Sequence, residues 1–300
     1  MKLFYTDHFD LPLPAGHRFP MDKYRMTRER LAADHERGFE LMVPHASTDD
    51  ELLLAHEAAY LEKMAAGRLE RVEEKRIGFP WSPALVLRSR YSTGATICAA
   101  GAALDDGVSA NLAGGTHHAF ADAAAGYCVF NDVIVAARVL QRDAGVGQVA
   151  IVDCDVHQGN GSAEIAAGDS SIFTFSLHGE KNYPFRKASS DLDIALPDKT
   201  GDDEYLAAVQ RGLDAAWQHA TPELVFYIAG ADPFEGDRLG RLKVSKEGLA
   251  LRDTLVLQRC RDEGVPVAIA MGGGYAADVE VIVDIHVKTV ELAHDVFVNG

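Results

Sequence analysis

A chain of 300 residues, 47% of them hydrophobic, is long enough for a large core and excludes a disordered protein. Acidic side chains outnumber basic ones 45 to 29, a formal net charge of −16, which argues against nucleic acid as a partner because phosphate binding needs clustered Lys and Arg. The same balance is compatible with cationic substrates, lysine-bearing peptides or polyamines, and equally with plain solubility.

Residues 1–7 read as a first strand without the long apolar core of a signal peptide, and no apolar stretch reaches membrane-span length. A cytoplasmic protein with no membrane partner is expected. Thr48-Asp-Asp-Glu51 has the form of a capping box and opens a helical run through Leu52, His56, Tyr60 and Met64 that Gly67 stops. Residues 112–119 follow a run that looks helical and present His117 and His118 after the pair Gly114-Gly115, which is able to turn tightly. Residues 131–144 look helical and end at Gly145.

The apolar run 149–152 then leads into Asp153-Cys-Asp-Val-His157, the most chemically loaded stretch of the chain. On a strand, Asp153, Asp155 and His157 share one face. Two carboxylates and an imidazole on the lip of a sheet ask for a counter-charge, and a divalent cation is the usual one. A short helix over 161–167 and a strand over 171–177 follow, then an irregular stretch, 179–202, whose Tyr183 and Phe185 are candidates for one wall of a site mouth. Tyr205, Val209, Leu213 and Trp217 recur every four residues as a buried helical stripe. The strand pattern 224–230 ends in Gly-Ala-Asp232, and the pattern 265–271 runs into Gly272-Gly-Gly-Tyr275. A last helix carries Ile282, Ile285, Thr289 and Leu292.

Strands alternating with helices without a linker predict one α/β domain over 1–300, a parallel β-sheet sandwiched by α-helices. Ligands of such sheets sit beyond the carboxyl ends of the strands. Asp155, His157 and Asp232 then share one edge and form an open three-ligand set for Zn²⁺, with Tyr275 able to swing over it. Cys98, Cys128, Cys154 and Cys260 lack metal-site spacing and read as small buried residues. His35, His45, His56, His219, His286 and His294 have no partner at ligand spacing and read as structural or surface residues. The role of His178 is left open, and the basic pair His17-Arg18 is a candidate for binding a released carboxylate.

Six ordered strings, Gly114-Gly-Thr-His-His-Ala119, Gly126-Tyr-Cys-Val-Phe-Asn-Asp132, Asp153-Cys-Asp-Val-His-Gln-Gly-Asn-Gly161, Phe175-Ser-Leu-His178, Gly230-Ala-Asp232 and Gly272-Gly-Gly-Tyr275, make the chain resemble the zinc-dependent histone deacetylases. That family includes acetylpolyamine amidohydrolases and has the arginase/deacetylase fold. The His-Gln-Gly-Asn string at 157–160 and the segment 16–24 look most like the class IV branch and its bacterial relatives.

The resemblance implies hydrolysis of an acylated amine, acyl-lysine above acetylpolyamine or a small amide, with Zn²⁺ held by Asp155, His157 and Asp232. His117 and His118 would move protons, without assignment of base and acid between them, and Tyr275 would donate its hydroxyl to the developing oxyanion. Asp153 would stand behind His117 as a hydrogen-bond acceptor. Asn160 stands where class I members carry Asp, so His118 lacks a carboxylate that would raise its pKa. The family's monovalent site implies K⁺ near Asp153, Asp155, His157, Ser176 and Leu177. Gly126 and Tyr127 match the wall of the acyl-lysine channel, where Phe is usual. Two rivals stay open: a di-manganese ureohydrolase of the arginase type, which needs further carboxylates such as Asp237, and a non-catalytic acyl-lysine binding module.

Overall fold

The computed structural model describes residues 1–8, 11–14 and 16–298. In chain order the elements are β1 (Lys2–Phe4), α1 (Asp22–Ala32), β2 (Glu40–Met42), α2 (Asp49–Leu52), α3 (Ala58–Ala66), α4 (Arg71–Ile77), α5 (Pro83–Asp106), β3 (Val108–Asn111), α6 (Asp132–Ala144) and β4 (Val149–Asp153). They continue with α7 (Asn160–Ile165), β5 (Ile172–Gly179), β6 (Leu192–Leu196), α8 (Asp202–His219), β7 (Leu224–Ile228), α9 (Lys246–Asp262), β8 (Val267–Ala270) and α10 (Val279–Phe297). The strands form one sheet of order β2-β1-β3-β8-β7-β4-β5-β6, and every pairing is parallel.

Strands β4, β7 and β8 are buried along their whole length, which is what a parallel sheet covered on both faces requires of its centre. Their side chains alternate between two cores. Ala150, Val152, Val225, Tyr227, Val267 and Ile269 face the helices carrying Leu213, Leu257 and Val290. Val149, Ile151, Leu224, Phe226 and Ala268 face those carrying Tyr60, Ile97 and Val135. Tyr205, Val209 and Leu213 are buried along α8 as their spacing predicts, with Trp217 partly buried against the same core.

Four local expectations need correction. The helical run from Thr48 to Gly67 is two helices, although Thr48 and Glu51 do form a capping box and Gly67 does end the second. The break comes from tertiary hydrogen bonds. Glu57 N donates to Ala121 O at 2.9 Å, while the His56 ring pairs with Phe120 O at 3.0 Å and accepts from Asn131 N at 2.9 Å. The helix before residue 112 stops at Gly107, and β3 lies between, paired with β1 and β8. The stretch 179–202 contains β6, an edge strand of alternating exposure that pairs with β5. Cys98 is only partly buried, with Sγ 3.3 Å from His45 Nδ1, whereas the other three cysteines are buried.

Candidate active site

The carboxyl ends of β3, β8, β7 and β4, four strands adjacent in the sheet, deliver the buried titratable groups at the floor of the site. His117 and His118 follow β3, Asp155 and His157 follow β4, Asp232 follows β7, and Tyr275 follows β8. Asp155, His157 and Asp232 are buried, and each offers a ligand atom within 4.8 Å of the others. His157 Nδ1 lies 3.0 Å from Asp155 Oδ1 and 3.1 Å from Asp232 Oδ2. Backbone N–H groups fix the carboxylates: His157 N and Gly273 N donate to Asp155 at 2.9 and 2.6 Å, and Val156 N donates to Asp232 Oδ1 at 2.9 Å.

Asp232 Oδ2 is buried and accepts no well-directed hydrogen bond. An orphaned carboxylate oxygen at this depth is costly unless a cation meets it. The electrostatics agree. Burial and the neighbouring Asp155 push the Asp232 carboxyl up to about 7. Burial opposes a charge on His157, yet Asp155 and Asp232 lift it to about 10, so the cluster asks for positive charge at its centre. Space for an ion depends on Gly273, where a Cβ would stand 2.0 Å from Asp232 Oδ2 and 2.8 Å from Asp155 Oδ2. The three residues could therefore hold a metal ion, and their donor set of two carboxylates and one imidazole suits Zn²⁺.

Beside them the two imidazoles stack at 4.2 Å between centroids but have different partners. His117 Nδ1 pairs with Asp153 Oδ2 at 2.6 Å, and His118 Nδ1 donates to Asn160 Oδ1 at 2.7 Å. Burial works against charge on both. For His117, Asp153 and Asp155 outweigh it and raise the pKa to about 9. His118 is driven well below 6.5 by burial, then by His117 and His157, because an amide answers it instead of a carboxylate. With Nδ1–H donated, its Nε2 lone pair is left for the cavity.

Tyr275 is held by its backbone: its N donates to Asp237 Oδ2 at 2.6 Å and its O accepts from Arg238 Nε at 2.9 Å. Burial, then Asp155 and Asp232, push the phenol well above 10, so it remains an O–H donor. Asp237, a carboxylate that a second metal would need, spends Oδ1 on Leu239 N and Gly240 N and Oδ2 on Tyr275 N.

A cavity of about 360 Å³ opens from His118, His157 and Tyr275 to the surface, and His117 lines only a smaller inner recess of about 40 Å³ that it shares with Asp155, His118, His157 and Tyr275. Gly126, Tyr127 and Tyr183 wall it, with Phe185, 90% exposed, at the rim. Gly126 must lack a side chain, since a Cβ there would sit 2.6 Å from His118 Cδ2. Tyr127 takes φ 67°, held by bonds from Gly126 N and Tyr127 N to Arg76 O and Ile77 O at 2.9 and 2.7 Å. Ser176 lies opposite Asp153 in the sheet register, with Leu177 next along β5.

His17 bonds Gly78 O at 2.8 Å through Nε2 and accepts from Phe19 N through Nδ1, so both ring nitrogens are already engaged within the chain. His178 is buried against Ser176 Oγ at 3.1 Å, and burial lowers it to about 4. Sequence reasoning missed Arg252, buried against Asp253, whose Nη1 donates to Gly230 O at 2.6 Å and anchors the turn before Asp232. It also missed Lys75, Arg76, Lys181 and Arg241, which line the mouth. These come from segments without a motif, and only the fold brings them together.

Residues 17–290 match the family model described as histone deacetylase domain. An uncharacterized protein of Picosynechococcus sp. is 40% identical over 297 residues, covering 98% of each chain. Histone deacetylase 2 of Arabidopsis thaliana is 28% identical over 291 residues, covering 92% of this chain and 74% of that one. The crystal structure of an HDAC homolog complexed with SAHA superposes with a TM-score of 0.80 at 25% identity, covering 97% of this chain and 83% of that one.

Proposed function

The chain belongs to the histone deacetylase family, and from that premise we propose that residues 1–300 form one zinc-dependent catalytic domain that removes an acyl group from acyl-lysine. The observation that carries the metal is the buried Asp232 Oδ2, which has His157 Nδ1 at 3.1 Å but no well-directed hydrogen bond, grouped with Asp155 and His157 and cleared by Gly273. A Zn²⁺ ion bound there supplies Lewis acidity toward a water and the acyl oxygen. His118, neutral and facing the cavity with Nε2 open, takes the proton of the attacking water and returns it to the leaving amine nitrogen. His117, charged against Asp153, supplies fixed positive charge at the back of the site. Tyr275 donates its hydroxyl to the oxygen that becomes negative. Gly126, Tyr127 and Tyr183 hold the lysine stem between ring faces, with Phe185 at the entrance.

A K⁺ ion near Asp153, Asp155, His157, Ser176 and Leu177 belongs to the same proposal and is supported by the Asp153 to Ser176 register. The string 157–160 further aligns the site with the class IV branch, and a cytoplasmic setting suits these chemistries. An arginase-like two-metal site is disfavoured, because among the described residues the grouping of possible ligand atoms holds Asp155, His157 and Asp232 and does not extend to Asp237. A binding module is disfavoured because each reacting position holds a competent residue. The test is metal analysis of the purified chain together with turnover of acetyl-, octanoyl- and myristoyl-lysine peptides beside acetylputrescine, with and without a hydroxamate. One equivalent of zinc and hydroxamate-sensitive release of free lysine peptide are expected. Two manganese ions per chain, or peptide binding without cleavage in the zinc-loaded protein, would sink the reading.

A further inference from the structure

The chain is strongly acidic, but the cavity leading to the proposed metal site is not. Lys75, Arg76, Lys181 and Arg241 line it, all exposed, and among the described residues no Asp or Glu does. Because acidic residues outnumber basic ones 45 to 29, a mouth whose described charged residues are four cations inverts the balance of the chain as a whole. The cations come from three separate segments: the last turn of α4, the turn after β5, and the loop after β7. A helix dipole accounts for cations at the end of α4, but not for Lys181 or Arg241.

Ion pairing does not cancel them. Among the described residues Lys75, Arg76 and Lys181 enter no salt bridge, and only Arg241 has one, to Asp198 at 3.2 Å. Arg76 is also positioned, since its Nε donates to Ala124 O at 3.0 Å and its own carbonyl accepts from Gly126 N. Glu73, Glu74, Glu180 and Asp198 are acidic neighbours in sequence or in pairing, and Glu73 acts on Arg76 while its main partner is Lys63, but none of the four lines the cavity. Narrow mouths with walls of low dielectric focus such a field on whatever enters.

We propose that this mouth selects an acyl-lysine whose flanking residues are acidic, and rejects acylated polyamines, whose remaining ammonium would enter against four like charges. The proposal rests on the hydrolase reading above. It differs from the cationic substrates with which net charge alone is compatible. Tyr183 and the exposed ring of Phe185 give the peptide backbone an apolar contact beside the cations.

The experiment compares three acetyl-lysine peptides of equal length, with Asp/Glu, Ser/Gly or Lys/Arg flanks, on the zinc-loaded full chain at low and high salt. At low salt kcat/KM should favour the acidic over the basic peptide by about tenfold or more, and the ratio should collapse as salt shortens the Debye length below roughly 10 Å. In a Lys75→Glu, Arg76→Glu, Lys181→Glu variant the ratio should fall to one or reverse. A flat ratio, a preference untouched by the triple reversal, or acetylputrescine turned over faster than the acidic peptide would overturn the proposal. Faster turnover of free Nε-acetyl-lysine than of the acidic peptide would overturn the assignment to a peptide. If no peptide is cleaved, the hydrolase reading has failed, and fluorescence anisotropy of the same labelled peptides still decides the mouth: equal affinity for acidic and basic flanks refutes it.

Discussion

The floor and the mouth of the site are built by opposite means. On the floor Asp155, His157, Asp232, His117 and His118 are buried, and backbone N–H groups or buried partners hold their polar atoms. At the mouth Lys75, Lys181 and Arg241 are long, exposed side chains, the first in the last turn of helix α4 and the others in the connections after β5 and β7. Burial makes each floor contact strong and geometrically exacting, whereas exposed charges act through a screened field that tolerates imprecise placement. On the proposed reading, the floor fixes what reaction can occur and the mouth fixes what arrives.

That contrast predicts steep effects at the floor and graded ones elsewhere. Gly273→Ala should have the largest, because its Cβ would occupy the space between the two carboxylates. Metal analysis should find the variant empty and inactive while circular dichroism still reports the native fold; retention of metal and rate would show that the floor yields as the mouth does. Tyr275→Phe should lower kcat by about 10²–10³ with little change in KM, the expected loss for one oxyanion donor. Near-normal turnover would assign the oxyanion to other groups.

A third test reaches beneath the floor, to His56, which burial lowers to about 4 while it ties residues 120 and 131 together. Its folded pKa lies below the unfolded value near 6.5, so the unfolded chain binds the extra proton between those values. Stability from this group is complete above about pH 6.5 and is lost as pH falls toward 4, on the order of 3 kcal/mol. His56→Gln should flatten that part of the urea-unfolding profile; an unchanged slope would place the acid sensitivity in another residue. The smallest effect belongs to Asn160→Asp. A carboxylate there favours the charged imidazole, raises the His118 pKa, and should move the acid limb of kcat/KM upward by about one pH unit. An unmoved limb would mean that His118 does not limit the rate.

The floor was legible in the sequence because its logic is local. Asp153, Asp155 and His157 lie at a spacing of two after an apolar run, and the runs before Asp232 and Tyr275 repeat the design. Burial is complete along β4, β7 and β8, so their apolar patterns are unambiguous. Elsewhere the signal is weak: β1 and β2 have three residues each, and β6 is a half-buried edge. The break between α2 and α3 depends on partners at residues 120, 121 and 131, which no local pattern reveals. The mouth was illegible because net charge averages a whole surface, and Lys75 and Arg241 meet only in three dimensions.

The two bonds that carry Gly126 and Tyr127 onto the carbonyls of Arg76 and Ile77 have a mechanical consequence. They tie the basic last turn of α4 to the aromatic wall, so a ligand that binds Lys75 or Arg76 is expected to shift the ring of Tyr127 as well.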